Sequence, residues 1–172
     1  SLHAIYFSDW SPLLLSSVLV TEVQALLPRT TASIPRRTPI ALDSSRGAMI
    51  LAVLDMRVRL PVRQPDCYVS TVGGVKVAEP SADLAIALAM ASSVADRALP
   101  QGTVALGEVG LAGEIRAVTG IPRRLAEVAR LGFRKAVVPS GSIGNGPTPE
   151  GMKVIEVSDI LQAVRLMTQP VC

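Results

Sequence analysis

Glu79-Pro80-Ser81-Ala82-Asp83-Leu84-Ala85-Ile86-Ala87-Leu88-Ala89-Met90-Ala91 decides the fold of this chain. Pro80 fixes a backbone angle suited to a first helical turn, and Leu84, Ala87, Leu88, Ala91 and Ala95 then recur at helical spacing. Ile86 and Met90 fill the remaining sides, so the pattern predicts a helix from Ser81 to about Arg97 that is buried almost all round. Directly after a proline, the Ser81 hydroxyl suits a helix N-cap.

On the N-terminal side, Tyr68–Val72, Gly73-Gly74 and Val75–Val77 read as a β-hairpin, because two glycines accept the left-handed turn that joins β-branched runs. Asp43-Ser44-Ser45 offers N-caps for a helix with Met49, Leu51, Ala52, Val53 and Met56 on its apolar stripe, ending near Arg57 to Arg63. Val18–Val23 reads as a strand, residues 28–39 as a breaker-rich loop, and the first dozen residues as irregular.

On the C-terminal side, Thr103–Val109 and Glu114–Val118 flank Gly110-Leu111-Ala112-Gly113 as a second hairpin. Gly120 and Pro122 open a helix to about Leu131, with Ile121, Leu125, Val128 and Ala129 inward and Gly132 as its stop. Ala136–Val138 is a short buried strand, residues 139–151 a Gly, Pro and Ser loop, and Lys153–Val157 a last strand. Ser158-Asp159 then caps a helix carrying Ile160, Leu161, Val164 and Met167. These elements predict a single α+β domain in which a mixed sheet, built from hairpins, packs with about four helices.

Composition narrows the function classes. Of 172 residues, 49% are hydrophobic but only 3% aromatic, so the core is aliphatic and tightly packed. Polar residues such as Thr21, Glu22 and Gln24, or Ser92, Ser93 and Asp96, break the greasiest stretches, and no window reads as a membrane span. Cys67, Cys172 and His3 are the whole stock of thiols and imidazoles, too few for a structural zinc site. A reduced, cytoplasmic setting is the simpler reading, with one disulfide left open.

The net charge of +3 is unevenly placed: Arg116, Arg123, Arg124, Arg130, Arg134 and Lys135 face a single carboxylate, Glu127, between residues 116 and 135. Such density suits a phosphate backbone, and Arg36, Arg37, Arg57, Arg59 and Arg63 extend it. The alternative is a solvated helix face with no ligand. No aromatic residues interleave these charges, which argues against single-strand stacking.

From about Val69 to Pro139 the sequence resembles the proteolytic domain of the Lon family and, more closely, the Lon-like C-terminal domain of the RadA (Sms) family of bacterial DNA-repair proteins. The carriers are Val72-Gly73-Gly74-Val75, Glu79-Pro80-Ser81-Ala82-Asp83, the run Gly107-Glu108-Val109-Gly110-Leu111-Ala112-Gly113-Glu114-Ile115-Arg116, Arg124-Leu125-Ala126-Glu127 and Val137-Val138-Pro139. The resemblance implies a Lon proteolytic-domain fold of the ribosomal protein S5 domain 2 type. It implies residues 1–17 as a junction with an ATPase domain and 18–172 as the Lon-like domain of a longer protein. That parent would be an ATP-dependent DNA helicase forming a hexameric ring, nucleoid-associated, with ATP, magnesium and zinc bound by its other parts and no cofactor here. No phosphate loop or C-x-x-C motif occurs in this chain.

In the Lon pattern Ser81 is the nucleophile and position 124 the lysine that deprotonates it. Arg124 stands there instead, and arginine does not give up its proton in a protein. Ser81 and Arg124 thus read as vestigial, with Arg124 expected to lock a carboxylate such as Glu79, Asp83 or Glu108. Lys76 is a weak substitute base, and Glu108 with Glu114 reads as turn-flanking charge. Three functions stay open: a ring-assembly and DNA-backbone module, a residual Ser-Lys peptidase, and a pure oligomerisation domain.

Overall fold

Val23 and Ala25, Cys67 and Val69, and Val137 alternate with residues of opposite facing, the period-two signature of strands that bury at least one side. The computed structural model describes residues 3–10, 18–29, 34–39, 43–62, 65–72, 76–97, 100–144 and 146–168. Among them, strands β1 (His3–Trp10), β2 (Val18–Leu26), β3 (Arg37–Pro39), β4 (Cys67–Thr71), β5 (Thr103–Ala105), β8 (Lys135–Pro139) and β9 (Lys153–Val157) form one mixed sheet of order β3-β4-β2-β1-β5-β8-β9. Strands β6 (Glu108–Val109) and β7 (Ile115–Arg116) make a separate two-stranded ribbon.

Helices α1 (Ser44–Val53), α2 (Asp83–Ala95) and α4 (Ile160–Thr168) share one core cluster with Val23, Ala25, Val69, Ala105, Val137 and Val157. Helix α3 (Ile121–Arg130) packs Ile121, Leu125 and Val128 on the opposite face against Val104, Leu106, Ala136 and Val138. The α+β expectation with its four helices describes these residues. Because both faces of β5 and β8 are covered, their side chains are buried consecutively rather than alternately. Every residue from Asp83 to Ser92 is buried, as the all-round apolar pattern of that helix predicts.

Several expectations are corrected. The first dozen residues are not irregular throughout: His3–Trp10 pairs antiparallel with β2 along its whole length and parallel with β5 at Tyr6↔Val104. Part of the 28–39 loop is strand β3, parallel to β4. The sheet is not assembled from hairpins on its β5-β8-β9 side, where all pairings are parallel. Thr103–Ala105 leaves for the main sheet, and only Glu108–Val109 pairs with Ile115–Arg116 in the second expected hairpin. In α1 the buried positions are Gly47, Ile50, Leu51 and Val53, whereas Ala52 and Met56 face solvent. That helix runs on into a π turn, Leu54–Val58. The Gly73-Gly74 turn, Arg63 and Cys172 lie outside the described residues. Cys67 is buried and free, and burial pushes its thiol up from the usual value.

Candidate functional site

Pro80–Ala82 forms a 3-10 turn, not the first turn of the α-helix, so Ser81 is not the N-cap it was expected to be. Ala82 occupies that position, and no side chain caps the helix. Two backbone bonds tie the turn to the end of β5: the Gly107 N–H donates to the Ser81 carbonyl at 2.9 Å, and the Leu84 N–H to the Gly107 carbonyl at 3.0 Å. Gly107 has no room for a side chain, since a Cβ there would lie 2.8 Å from Ile115 Cγ2.

Ile121, Arg124, Leu125 and Val128 share one face of α3 at helical spacing, which carries Arg124 inward with the apolar residues. Its side chain is 3% exposed. One guanidinium nitrogen donates to Ser81 Oγ at 3.2 Å, and the other terminal nitrogen to Glu79 Oε1 at 2.6 Å. Of the three carboxylates expected for it, Arg124 thus takes Glu79. Asp83, fully buried, goes to Arg46 of α1, whose Nε donates to Oδ1 at 2.8 Å and whose NH2 donates to Oδ2 at 2.6 Å. The Val109 N–H adds a bond to Asp83 Oδ2 at 3.2 Å. Burial raises the Asp83 carboxyl above its usual range, and the bond from Arg46 opposes that shift. Arg46 was not foreseen as part of this cluster; it sits three residues after Asp43 at the start of an amphipathic helix, where nothing local marks its partner.

Chemically the cluster is a pair of charge clamps on either side of Ser81. The serine is 1% exposed, and its oxygen accepts from a cation that cannot take up a further proton. Lys76 is exposed and no hydrogen bond joins it to Ser81. Glu108 and Glu114 both reach Arg116, at 3.5 and 2.6 Å, as an exposed network on the β6–β7 ribbon. Among the described residues no group of histidine, cysteine and carboxylate side chains could hold a metal ion.

The basic candidates do not form one patch. Arg124 is corrected outright, because a buried guanidinium cannot touch a phosphate. Arg36 and Arg37 lie at the β3 edge of the sheet, and Lys135 at the far side, beside the β9 edge. Six strand spacings of about 4.8 Å separate the two edges by about 29 Å. Arg57 stands over Gly113 at the β6–β7 turn, and Arg59 is exposed just after the π turn. Arg123, Arg130 and Arg134 are exposed along α3 and just beyond it. Arg130 and Arg134 border an open cleft of about 510 Å³ together with Pro122, Ala126, Pro147 and Pro149.

No described helix is long and apolar enough to cross a membrane. A family model described as subunit ChlI of Mg-chelatase matches residues 71–142, a stretch that contains Ser81 and Arg124. DNA repair protein RadA of Mycolicibacterium smegmatis is 50% identical over 88% of this chain and 32% of its own length. The proteins of that name in Escherichia coli and Bacillus subtilis are 46% and 38% identical over 85% and 86% of the chain, each again over 32% of the relative. The chain therefore spans about a third of the length of these relatives. It is a homologue of one segment of the bacterial DNA repair protein RadA.

Proposed function

We propose that this chain is a Lon-like, non-proteolytic domain of a RadA-type DNA-repair protein, supporting assembly of a homo-oligomeric ring and contacting the DNA backbone. The observation that carries the non-proteolytic part is the Ser81 environment: the hydroxyl is buried and bonded to Arg124, itself paired with Glu79. A serine peptidase needs an accessible oxygen and a base able to lose its proton, and a buried hydroxyl bonded to a guanidinium supports the reading that this one does not serve as a nucleophile. The Lon-like fold is supported by the 3-10 turn that brings Ser81 to the head of α2, opposite the side chain at position 124. Nine cations remain for the phosphate role: Arg36, Arg37, Arg57, Arg59, Arg116, Arg123, Arg130, Arg134 and Lys135, of which all but Lys135 are exposed. In this reading the longer protein is an ATP-dependent helicase of recombinational repair, hexameric and nucleoid-associated, with ATP, magnesium and zinc outside this chain.

The test joins two measurements: duplex binding from 50 to 200 mM salt, at about six or more phosphate contacts a loss near 10³-fold, and molar mass in solution. Steep salt dependence by an oligomer supports the reading, and labelling of wild-type Ser81 by a fluorophosphonate would return it to a peptidase. A pure oligomerisation domain is the second reading, favoured by the separation of the cations to opposite sheet edges and the pairing of Arg116 and Arg130 with carboxylates. It predicts no salt-sensitive binding by the ring.

A further inference from the structure

Lysine occurs at only three positions in the chain, 76, 135 and 153, and two of them are brought side by side. Lys135 of β8 and Lys153 of β9 are register partners in a parallel pair, so both project on the same face of the sheet, one strand spacing apart. The Lys153 N–H donates to the Arg134 carbonyl at 2.8 Å, which fixes that register. Neither lysine has an ion-pair partner among the described residues. Burial and the neighbouring Lys153 charge both hold the Lys135 amine below the ordinary lysine range. Two cations locked together without a counter-charge repel one another, and folding tolerates that arrangement at a cost an anion would remove.

We propose that Lys135 and Lys153 form a phosphate-binding site at the N-terminal end of the β8–β9 pair. Arg134, the residue before β8, is turned to the opposite, α3 face of the sheet and stands outside the site. One of its terminal nitrogens caps α3 by donating to the Ala129 and Phe133 carbonyls at 2.9 and 3.1 Å, which leaves the rest of the guanidinium without a hydrogen bond among the described residues. Glu150 borders the same cleft as Arg134 on the α3 side, whereas the lysines share the face of Val137, turned toward α2 and α4. The ligand chemistry is a phosphate oxyanion, supplied either by a nucleic-acid backbone or by a free polyphosphate. The first source rests on the DNA-contact reading above; the second does not.

The test uses the 172-residue chain, its Lys135→Gln/Lys153→Gln variant and, as control, Lys76→Gln. Anisotropy of a fluorescein-labelled 20-base-pair duplex across salt concentrations reads backbone binding, and the thermal shift with inorganic tripolyphosphate reads the free anion. We expect the double variant to melt no lower than wild type in buffer alone, because the repulsion is gone. Its salt slope on duplex should fall by about 1.8, at about 0.9 per phosphate contact, while Lys76→Gln keeps the wild-type slope. Duplex binding with an unchanged slope in the double variant overturns the site and leaves the DNA-contact reading standing. Failure of wild type to bind duplex, with a tripolyphosphate shift lost in the double variant, keeps the site and removes the DNA source. Absence of both overturns the site together with that source.

Discussion

Arg124 spans two acceptors with one planar group, Ser81 on one terminal nitrogen and Glu79 on the other, which a lysine ammonium cannot reproduce from a shorter reach. We expect Arg124→Lys to leave Ser81 unlabelled by fluorophosphonates, because Glu79 beside the new amine holds it protonated and the serine stays buried. Labelling of that variant above the Ser81→Ala background would overturn the argument. Arg124→Ala strands Glu79 at the edge of the core and should cost about 3 kcal/mol in urea unfolding. Arg46 offers a pH-resolved version of the same physics. Its loss leaves Asp83 buried with only the Val109 N–H, so the already raised carboxyl rises further. An acid whose folded pKa exceeds its unfolded one contributes most below the unfolded value and loses that contribution as pH climbs through the folded one. The stability deficit of Arg46→Ala should therefore be larger at pH 8 than at pH 5, and a deficit that shrinks with rising pH would contradict the clamp. Position 124 was legible in the sequence as a cation that locks a carboxylate; its burial follows from Ile121, Leu125 and Val128 sharing its face. The Arg46–Asp83 clamp was not legible, because it joins two helices across 37 residues of sequence and no local spacing records that distance.

Helices α2 and α3 were readable because a 3.6-residue period survives in Leu84, Leu88 and Ala91 and in Ile121, Leu125 and Val128. The strand ends were harder. Thr103 to Val109 looks continuous by β-propensity, yet Ala105 ends one strand and Glu108 begins another in a different sheet. Gly107 is the local signal of that break, since a glycine within a strand pattern marks close backbone approach. Here the approach is to the 3-10 turn of Ser81, held through two hydrogen bonds. Gly107→Ala places a methyl 2.8 Å from Ile115 Cγ2 and 3.4 Å from both Leu84 Cδ2 and Pro139 Cγ, at the junction of the ribbon, α2 and the sheet. We expect a loss of about 1–3 kcal/mol, read as a lower urea midpoint with unchanged slope. Neutrality would mean that Ile115 rotates away freely and that the junction is looser than its contacts suggest. β3 escaped reading for a different reason: three residues ending in Pro39 carry too little pattern, and only pairing with β4 makes them a strand.

Across the whole molecule, strand β1 holds the sheet together. It lies between β2 and β5 in the order β3-β4-β2-β1-β5-β8-β9, so the mixed β3-β4-β2 half and the all-parallel β5-β8-β9 half meet through it. Its sequence, His3-Ala4-Ile5-Tyr6-Phe7-Ser8-Asp9-Trp10, does not alternate cleanly, which is why it reads as irregular by period. Three of the five aromatic residues in the chain nevertheless fall within it, a β-forming bias that composition alone could have flagged. Pairing with β2 runs from His3↔Ala25 to Trp10↔Val18, and the α2 residues beneath pack on a sheet that exists only if this strand is in place. Deletion of residues 1–10 leaves β2 and β5 facing each other across an empty strand position, with both backbones unsatisfied at the centre of the fold. We expect the truncated chain to lose cooperative thermal unfolding by circular dichroism and to regain it when a synthetic peptide of residues 1–12 is added. A truncated chain that melts cooperatively at the wild-type temperature without peptide would show that the strand is an attachment to the fold and not its centre.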